Sequence, residues 1–325
     1  MISQRKDDHL NLCVNEEVEC GDPGFDDVRL KHSCLPEVSF NEINTETRFL
    51  DRNLDFPFII EAITGGTKRS GKINRDLAKV ADEHGLGFGV GSQRIAIENP
   101  KLAETFKVRG VAPDVFLIAN LGAVQLNYGF KAKQYQEAVD MIEADALAIH
   151  VNPLQEVLQP EGNKNFQNLG EKIDGLRDEI NVPIILKGVG SGLNACEVVD
   201  LNVDAFDVGG AGGTSWGLIE SRRSGRFRSV YGDWGIPTVE CLRRFRDCGK
   251  PVIASGGVRS GLDVAKSLAL GADAAGAALP ILSAWSNKGV EGVECWIQNL
   301  VEDFKVAIFL TSSRNTRQLR DKLCD

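Results

Sequence analysis

Eight short, largely apolar runs punctuate the chain: Phe58 to Ile63, Leu86 to Val90, Val115 to Ala119, Ala144 to Ile149, Val182 to Leu186, Ala205 to Val208, Val252 to Ala254 and Ala272 to Ala278. Their length and near-continuous apolar character fit strands covered on both faces. Amphipathic stretches with helix punctuation separate them, such as Ser70 to His84 closed by Gly85 and Ser260 to Leu270 closed by Gly271. Eight such units predict an α/β fold, a parallel sheet closed into a (β/α)8 TIM barrel, because open doubly wound sheets usually have fewer strands and polar edges. A Rossmann sheet is the weaker reading. The run Gly188-Val-Gly190-Ser-Gly192 follows a strand and opens a helix but lacks the sixth-position glycine.

The barrel accounts for residues 57–310, including a long helix-like segment, Gly292 to Leu310, after the eighth strand. Residues 1–56, with turn signals such as Asp22-Pro23-Gly24, read as an N-terminal extension packed against it. Residues 311–325 read as a polar C-terminal tail, frayed or forming a short helix, so the 325 residues make one domain. Composition, 42% hydrophobic and 26% charged, excludes general disorder. The formal net charge of −9 argues against nucleic acid and anionic membranes as partners, so an anionic ligand needs a local basic cluster. Candidates are Arg5-Lys6, Arg94, and the loop Ser221 to Gly232 with Arg222, Arg223, Arg226 and Arg228, although a charged tail or loop is more often simply solvated. Eight cysteines without a C-x-x-C pair read as reduced, packed thiols. No apolar stretch follows the charged N-terminus and no window approaches a membrane span, so the expected compartment is the cytoplasm.

In a barrel the residues after each strand face one mouth, where such folds place their chemistry. The stretch from His150 to Gly162 follows the fourth run and crowds His150, Asn152, Gln155, Glu156, Gln159 and Glu161 together. A carboxylate there can hold Mg²⁺ alongside phosphate oxygens, and an amide or imidazole can orient a substrate; the plain alternative is a solvated polar loop. Lys187 ends the fifth run, where a buried ammonium needs an anion and could form a Schiff base or flank a flavin ring. Glycine runs at Gly209 to Gly213, Ser255-Gly-Gly-Val-Arg259 and Gly276 to Pro280 suit a phosphate cradle, aided by the helix starting near Ser260, although tight turning also wants glycine. The other strand ends are Thr64-Gly65-Gly66, Gly91-Ser92-Gln93-Arg94 and Asn120-Leu-Gly122.

Taken in order, Arg5-Lys6-x-x-His9, Ile63-Thr-Gly-Gly66, Gly91-Ser-Gln-Arg94, Asn120-Leu-Gly122, His150-x-Asn-x-x-Gln-Glu156, Pro160-Glu-Gly162, Gly212-Gly-Thr-x-Trp216, Asp233-Trp-Gly-Ile-Pro-Thr238 and Ser255-Gly-Gly-x-Arg259 resemble the flavin-dependent type 2 isopentenyl-diphosphate delta-isomerase family. The resemblance runs almost from end to end. It implies a barrel that binds FMN, kept reduced by NADPH, and Mg²⁺. Such an isomerase interconverts isopentenyl and dimethylallyl diphosphate in isoprenoid biosynthesis by adding a proton at one alkene carbon and removing another two carbons away.

It also implies FMN contacts from Ala62, Ile63, Thr64, Ser92, Asn120, Lys187, Thr214, Gly256, Gly257, Val258, Arg259, Ala278 and Leu279. Substrate would be held by Arg5, Lys6, Ser92, Gln93, Arg94, His150, Asn152 and Gln155, and Mg²⁺ by Glu156. Catalytic roles fall to Gln155, His150 and His9, with the reduced ring near N5 as the favoured proton shuttle. A homo-oligomer, tetramer or octamer, is implied, with an N-terminal arm able to reach a neighbouring subunit. Three positions depart from the family pattern: Ile63 for a common methionine, Gly188 for a common glutamate after Lys187, and Gly209 for a small polar residue or alanine. The rival readings are an FMN-dependent barrel oxidoreductase such as a hydroxyacid oxidase, for which a His-Arg pairing after the seventh strand is missing, and a non-catalytic phosphate-binding barrel without flavin.

Overall fold

The computed structural model describes residues 2–225 and 229–324. A short antiparallel hairpin, β1 (Thr47–Phe49) and β2 (Arg52–Leu54), precedes the barrel. The barrel strands are β3 (Phe58–Ile60), β4 (Gly87–Gly89), β5 (Phe116–Gly122), β6 (Ala146–Val151), β7 (Ile184–Gly188), β8 (Ala205–Asp207), β9 (Val252–Ser255) and β10 (Ala274–Ala277). They pair in parallel in chain order and close by β10 against β3, so each of the eight runs supplies one strand. The expected (β/α)8 TIM barrel is the fold.

A two-residue period sorts the side chains. Ile59, Phe116, Ile118, Ala146, Ala148, Ile185, Ala205, Ile253 and Ala274 fill the barrel interior, and Phe49 and Leu54 of the hairpin join them as a floor. The alternate residues, among them Ile60, Leu117, Leu147, Leu186, Phe206 and Ala254, pack outward into the shell of helices. Around the barrel run α2 (Lys68–Glu83), α3 (Arg94–Glu98), α4 (Ala132–Ile142), α5 (Pro153–Leu158), α6 (Leu169–Asp174), α7 (Ala195–Val198), α8 (Trp216–Ser224), α9 (Thr238–Phe245), α10 (Gly261–Ala269) and α11 (Leu279–Leu310), while α1 (Ile2–Asn15) precedes them all. Helix α2 starts where Thr67 accepts the Ser70 N–H and buries Ile73, Leu77, Val80 and Ala81 on one face.

One segment differs from expectation. The last helix begins at Leu279, directly after β10, and bends at Lys288–Gly289 before continuing to Leu310. Pro280 and the polar residues that follow hid its first half, yet proline at a helix start is compatible with the helix. The C-terminal tail takes the second of its two expected forms, a short helix: Thr316–Asp321 forms a 3-10 turn that buries Leu319, and Leu323 bridges Leu30 of the extension. The extension therefore serves both ends of the barrel, the hairpin below and α1 above.

Candidate active site

Carried one step beyond the apolar interior, the same two-residue period turns polar. Glu61, Asn120, His150, Lys187, Asp207 and Ser255 project from six strands or their ends, while β4 and β10 contribute Gly89 and Gly276. Above this layer opens a cavity of about 270 Å³. Beneath it lies a void of only about 10 Å³, room for a single water at most.

Lys187 is the centre of the layer. Its Nζ lies 2.8 Å from Glu61 Oε2 and donates to the Asp207 carboxylate. Asp207 also accepts from Ser255 Oγ and from the Gly209 N–H. Burial would lower the Lys187 pKa, but Asp207 and Glu61 outweigh it and hold the ammonium above its ordinary value. Glu61 moves the other way: burial, then the Asp207 charge, push it up to about 7. Its Oε1 is buried without a partner.

The anion that a buried lysine requires is thus supplied twice, from within runs that read as strand interior. Position 188, where the family's glutamate commonly stands, has no room for a side chain, since a Cβ there would collide with the Val208 carbonyl. Gly209 has φ 48° and its own Cβ would collide with the Gly188 carbonyl, so the two departures from the family pattern face one another.

His150 Nδ1 lies 2.8 Å from Asn120 Oδ1, which assigns the proton to Nδ1 and leaves Nε2 as an acceptor beside Gly122. Burial, then Lys187 and Lys6, push its pKa down to about 4, so the ring is neutral near pH 7. Gln93 is a correction. Its Oε1 accepts the Asn120 N–H at 2.9 Å and its Nε2 donates to the Ala138 carbonyl at 2.8 Å, so it clamps β5 to α4 and does not face the cavity. Val258 likewise turns its side chain into the core. The other expected FMN and substrate positions, from Arg5 to Leu279, all line the cavity.

Helix α1 lies across the mouth of its own barrel rather than extending outward. Lys6 Nζ donates to the Ser92 carbonyl at 2.9 Å and sits 5.1 Å from the centre of the Phe106 ring; burial, then Arg5, bring its pKa down to about 7. His9 Nε2 meets Glu220 Oε1 at 2.8 Å and its ring stands edge-on to Trp216. Glu220 is fully buried on α8 and also accepts from Gln155 Nε2 at 3.1 Å and Arg223 Nε at 2.8 Å. Burial alone would raise Glu220, but His9, Arg223 and Gln155 hold it below the usual carboxylate range. Asn152 caps α5 by accepting the Gln155 N–H and donates to Gln155 Oε1 at 2.7 Å, which fixes that amide from both sides.

Glu220 and Trp216 did not stand out in the sequence as site residues. The available signal was an acid three residues before Arg223 on the helix that opens at the Gly212-Gly-Thr-x-Trp216 motif. Of the arginines in that loop, the two described are already paired: Arg223 with Glu220 and Glu161, and Arg222 with Glu16 of the N-terminal extension. Arg226 and Arg228 lie outside the described residues.

Glu156 Oε2 accepts the Asn163 N–H, and burial raises its pKa against the opposing effects of that bond, Arg5 and Arg94. Among the described residues no three of His, Cys, Asp and Glu gather as a metal cage. Across the mouth, Gly256 (φ 101°) and Gly257 (φ 75°) form a left-handed turn open only to glycine. Arg259 pairs there with Glu19. The start of α10 is already capped, Asp263 accepting from the N–H groups of Arg259 and Ser260 and Ser260 Oγ accepting from Asp263. The glycine turn, and not the helix end, is what remains for a phosphate.

The sequence profile of the FMN-dependent dehydrogenase family matches residues 125–325. An isopentenyl-diphosphate delta-isomerase of Nostoc sp. strain PCC 7120 is 44% identical over 97% of this chain and 93% of its own length. The chain belongs to the isopentenyl-diphosphate delta-isomerase family. Isomerases of that name from Methanoregula boonei and Pyrococcus horikoshii are 45% and 43% identical and are covered over 92% and 90% of their lengths. The isomerase-family barrel also resembles a flavocytochrome b2 variant with pyruvate bound, with a TM-score of 0.72 at 18% identity over 97% of this chain and 82% of that one. A mandelate oxidase variant with an FMN adduct gives 0.64 at 18%, over 97% and 91%. These two likenesses speak to the fold alone.

Proposed function

We propose that this chain interconverts isopentenyl diphosphate and dimethylallyl diphosphate, using bound FMN and Mg²⁺ with NADPH as the reductant. The observation that carries the reading is a hydrogen-bonded series, His9, Glu220 and Gln155, that reaches the cavity beneath the helix that brings Arg5 and Lys6 and opposite the Lys187 pocket. The lining suits FMN: a glycine turn that side chains would fill, Arg259 beside it for the phosphate, and a buried, unpartnered Glu61 oxygen next to Lys187 for the polar part of a ring. Ala62, Ile63, Thr64, Ser92, Asn120, Thr214, Ala278 and Leu279 would complete its walls, with Val258 contributing at most backbone. When bound, FMN supplies an electron-rich ring that stabilises positive charge developing on a neighbouring alkene.

Arg5, Lys6 and Arg94 would bind the diphosphate, with Ser92, His150 and Asn152 directing it. Glu156, a lone carboxylate, suits Mg²⁺ shared with diphosphate oxygens. Gln155, fixed by Asn152 and Glu220, would orient the alkene end, and Glu220, a buried ionised carboxylate, would accept a proton at Oε1 with His9 behind it. Neutral His150 would accept a hydrogen bond at Nε2. Helix α1 would keep water from the reacting carbons.

Purified protein loaded with FMN in air should be yellow, and anaerobic incubation with NADPH, Mg²⁺ and isopentenyl diphosphate should bleach that colour and form dimethylallyl diphosphate. A colourless protein without product would sink the reading. A single FMN-binding domain, a cytoplasmic location and a homo-oligomer, tetramer or octamer, complete the proposal. Exposed Val230, Tyr231 and Trp234 support association, and light scattering of the purified protein would test it. Among the described residues no helix is long and apolar enough to cross a membrane.

A further inference from the structure

We propose that Glu61 works as a neutral carboxylic acid whose Oε1–H is offered to an electron-rich group seated against Lys187, so that filling the FMN pocket takes up one proton from solution. This rests on the reading of the pocket as an FMN site. The geometry is a cluster of one cation and two acids in the buried layer at the foot of the cavity. With both acids ionised the cluster carries a net negative charge, and an electron-rich ligand would bring more.

The two acids are not equivalent. Asp207 has three donors, Lys187, Ser255 and Gly209, whereas Glu61 has Lys187 as its one donor, lies against the Asp207 carboxylate, and has nothing on Oε1. Room for Oε1 exists because position 276 is glycine; a Cβ there would stand 2.5 Å from that oxygen. The proton therefore goes to Glu61, where it relieves the charge and turns an orphaned acceptor into a donor facing the ligand.

The other groups around this layer are Asn120 and Ser255, which do not titrate in this range, His150, which is already neutral, and Lys6 on α1. Burial brings Lys6 to about 7, so it titrates in the same window as Glu61 and has to be separated from it.

The test is calorimetric titration of FMN into full-length protein freed of cofactor, at pH 8, in buffers of different ionisation enthalpy. Wild-type protein should take up close to one proton more than Glu61→Gln, and Lys6→Met should keep that excess. Equal uptake by wild type and Glu61→Gln overturns the proposal, as does an uptake by Lys6→Met no greater than that of Glu61→Gln. Should Glu61→Gln fail to fold, the infrared difference spectrum of wild type with and without FMN at pH 8 decides. A gained protonated-carboxyl band is the expected result, and no gain overturns it. FMN binding without the extra proton removes only this role of Glu61, whereas failure to bind FMN removes the isomerase reading as well.

Discussion

The unequal partnering of Glu61 and Asp207 has a consequence for stability as well as for binding. Glu61 holds its proton more tightly in the folded chain, at about 7 against an ordinary 4.5, so the cofactor-free protein loses stability as pH rises from 4.5 to 7. Glu61→Gln removes that dependence and should be more stable than wild type at pH 8 by up to about 3 kcal/mol, read from denaturant midpoints. Equal midpoints at pH 8 would count against a buried, proton-retaining Glu61. Gln93 gives a contrasting case. Truncation to alanine strands the Asn120 N–H and takes one of two donors from the Ala138 carbonyl, which keeps its helical bond, and should cost about 1–3 kcal/mol of stability while the substrate KM stays near wild type. A raised KM without destabilisation would return Gln93 to the site. Glu220→Gln keeps the shape but not the charge that joins His9, Gln155 and Arg223; turnover should fall by about 10²-fold or more with FMN absorbance retained.

Among the elements, α1 ties together parts of the chain far apart in sequence, through Lys6 to Ser92, 86 residues on, and His9 to Glu220, 211 residues on. Removal of residues 1–15 should leave the barrel and its FMN absorbance in place but raise the KM for the diphosphate at least about tenfold, since each charged contact contributes about 1.5–3 kcal/mol. An unchanged KM would make α1 a mere cover. Glu220, held below its ordinary 4.5, also makes the closure of α1 acid-sensitive: its contribution is intact above pH 4.5 and is lost as pH falls through the lower folded value.

The sequence reads such elements unevenly. Helix ends marked by Gly85, Ser260 and Gly271 were legible because caps are local. The burial of Glu220 was not, because it depends on His9, 211 residues away, and Gln155, 65 away. Gln93 misled for a related reason: standing at a strand end does not say which way a side chain turns.

At the scale of the molecule, eight apolar runs were enough to give the barrel, and Lys187 announced itself by ending one of them. Glu61 and Asp207 were hidden inside two other runs, although they sit in phase with the inward-facing Ile59 and Ala205. A charged residue interrupting a strand two positions past an interior apolar one was the signal, and only closure of the barrel shows that three such positions converge.

The opposite end is sealed by Phe49 and Leu54, with Phe49 packed edge-on to Phe116 at 6.0 Å. Phe49→Ala should cost about 3–5 kcal/mol by denaturation without altering FMN binding in the protein that remains folded.

That floor makes the barrel a vessel with one opening. Whatever rests against Lys187 lies deepest, and whatever meets Arg5, Lys6 and His9 lies above it, at the mouth. On the proposed assignment, arrivals and departures follow a queue, the flavin first to enter and last to leave, and a diphosphate already in place would bar its exchange.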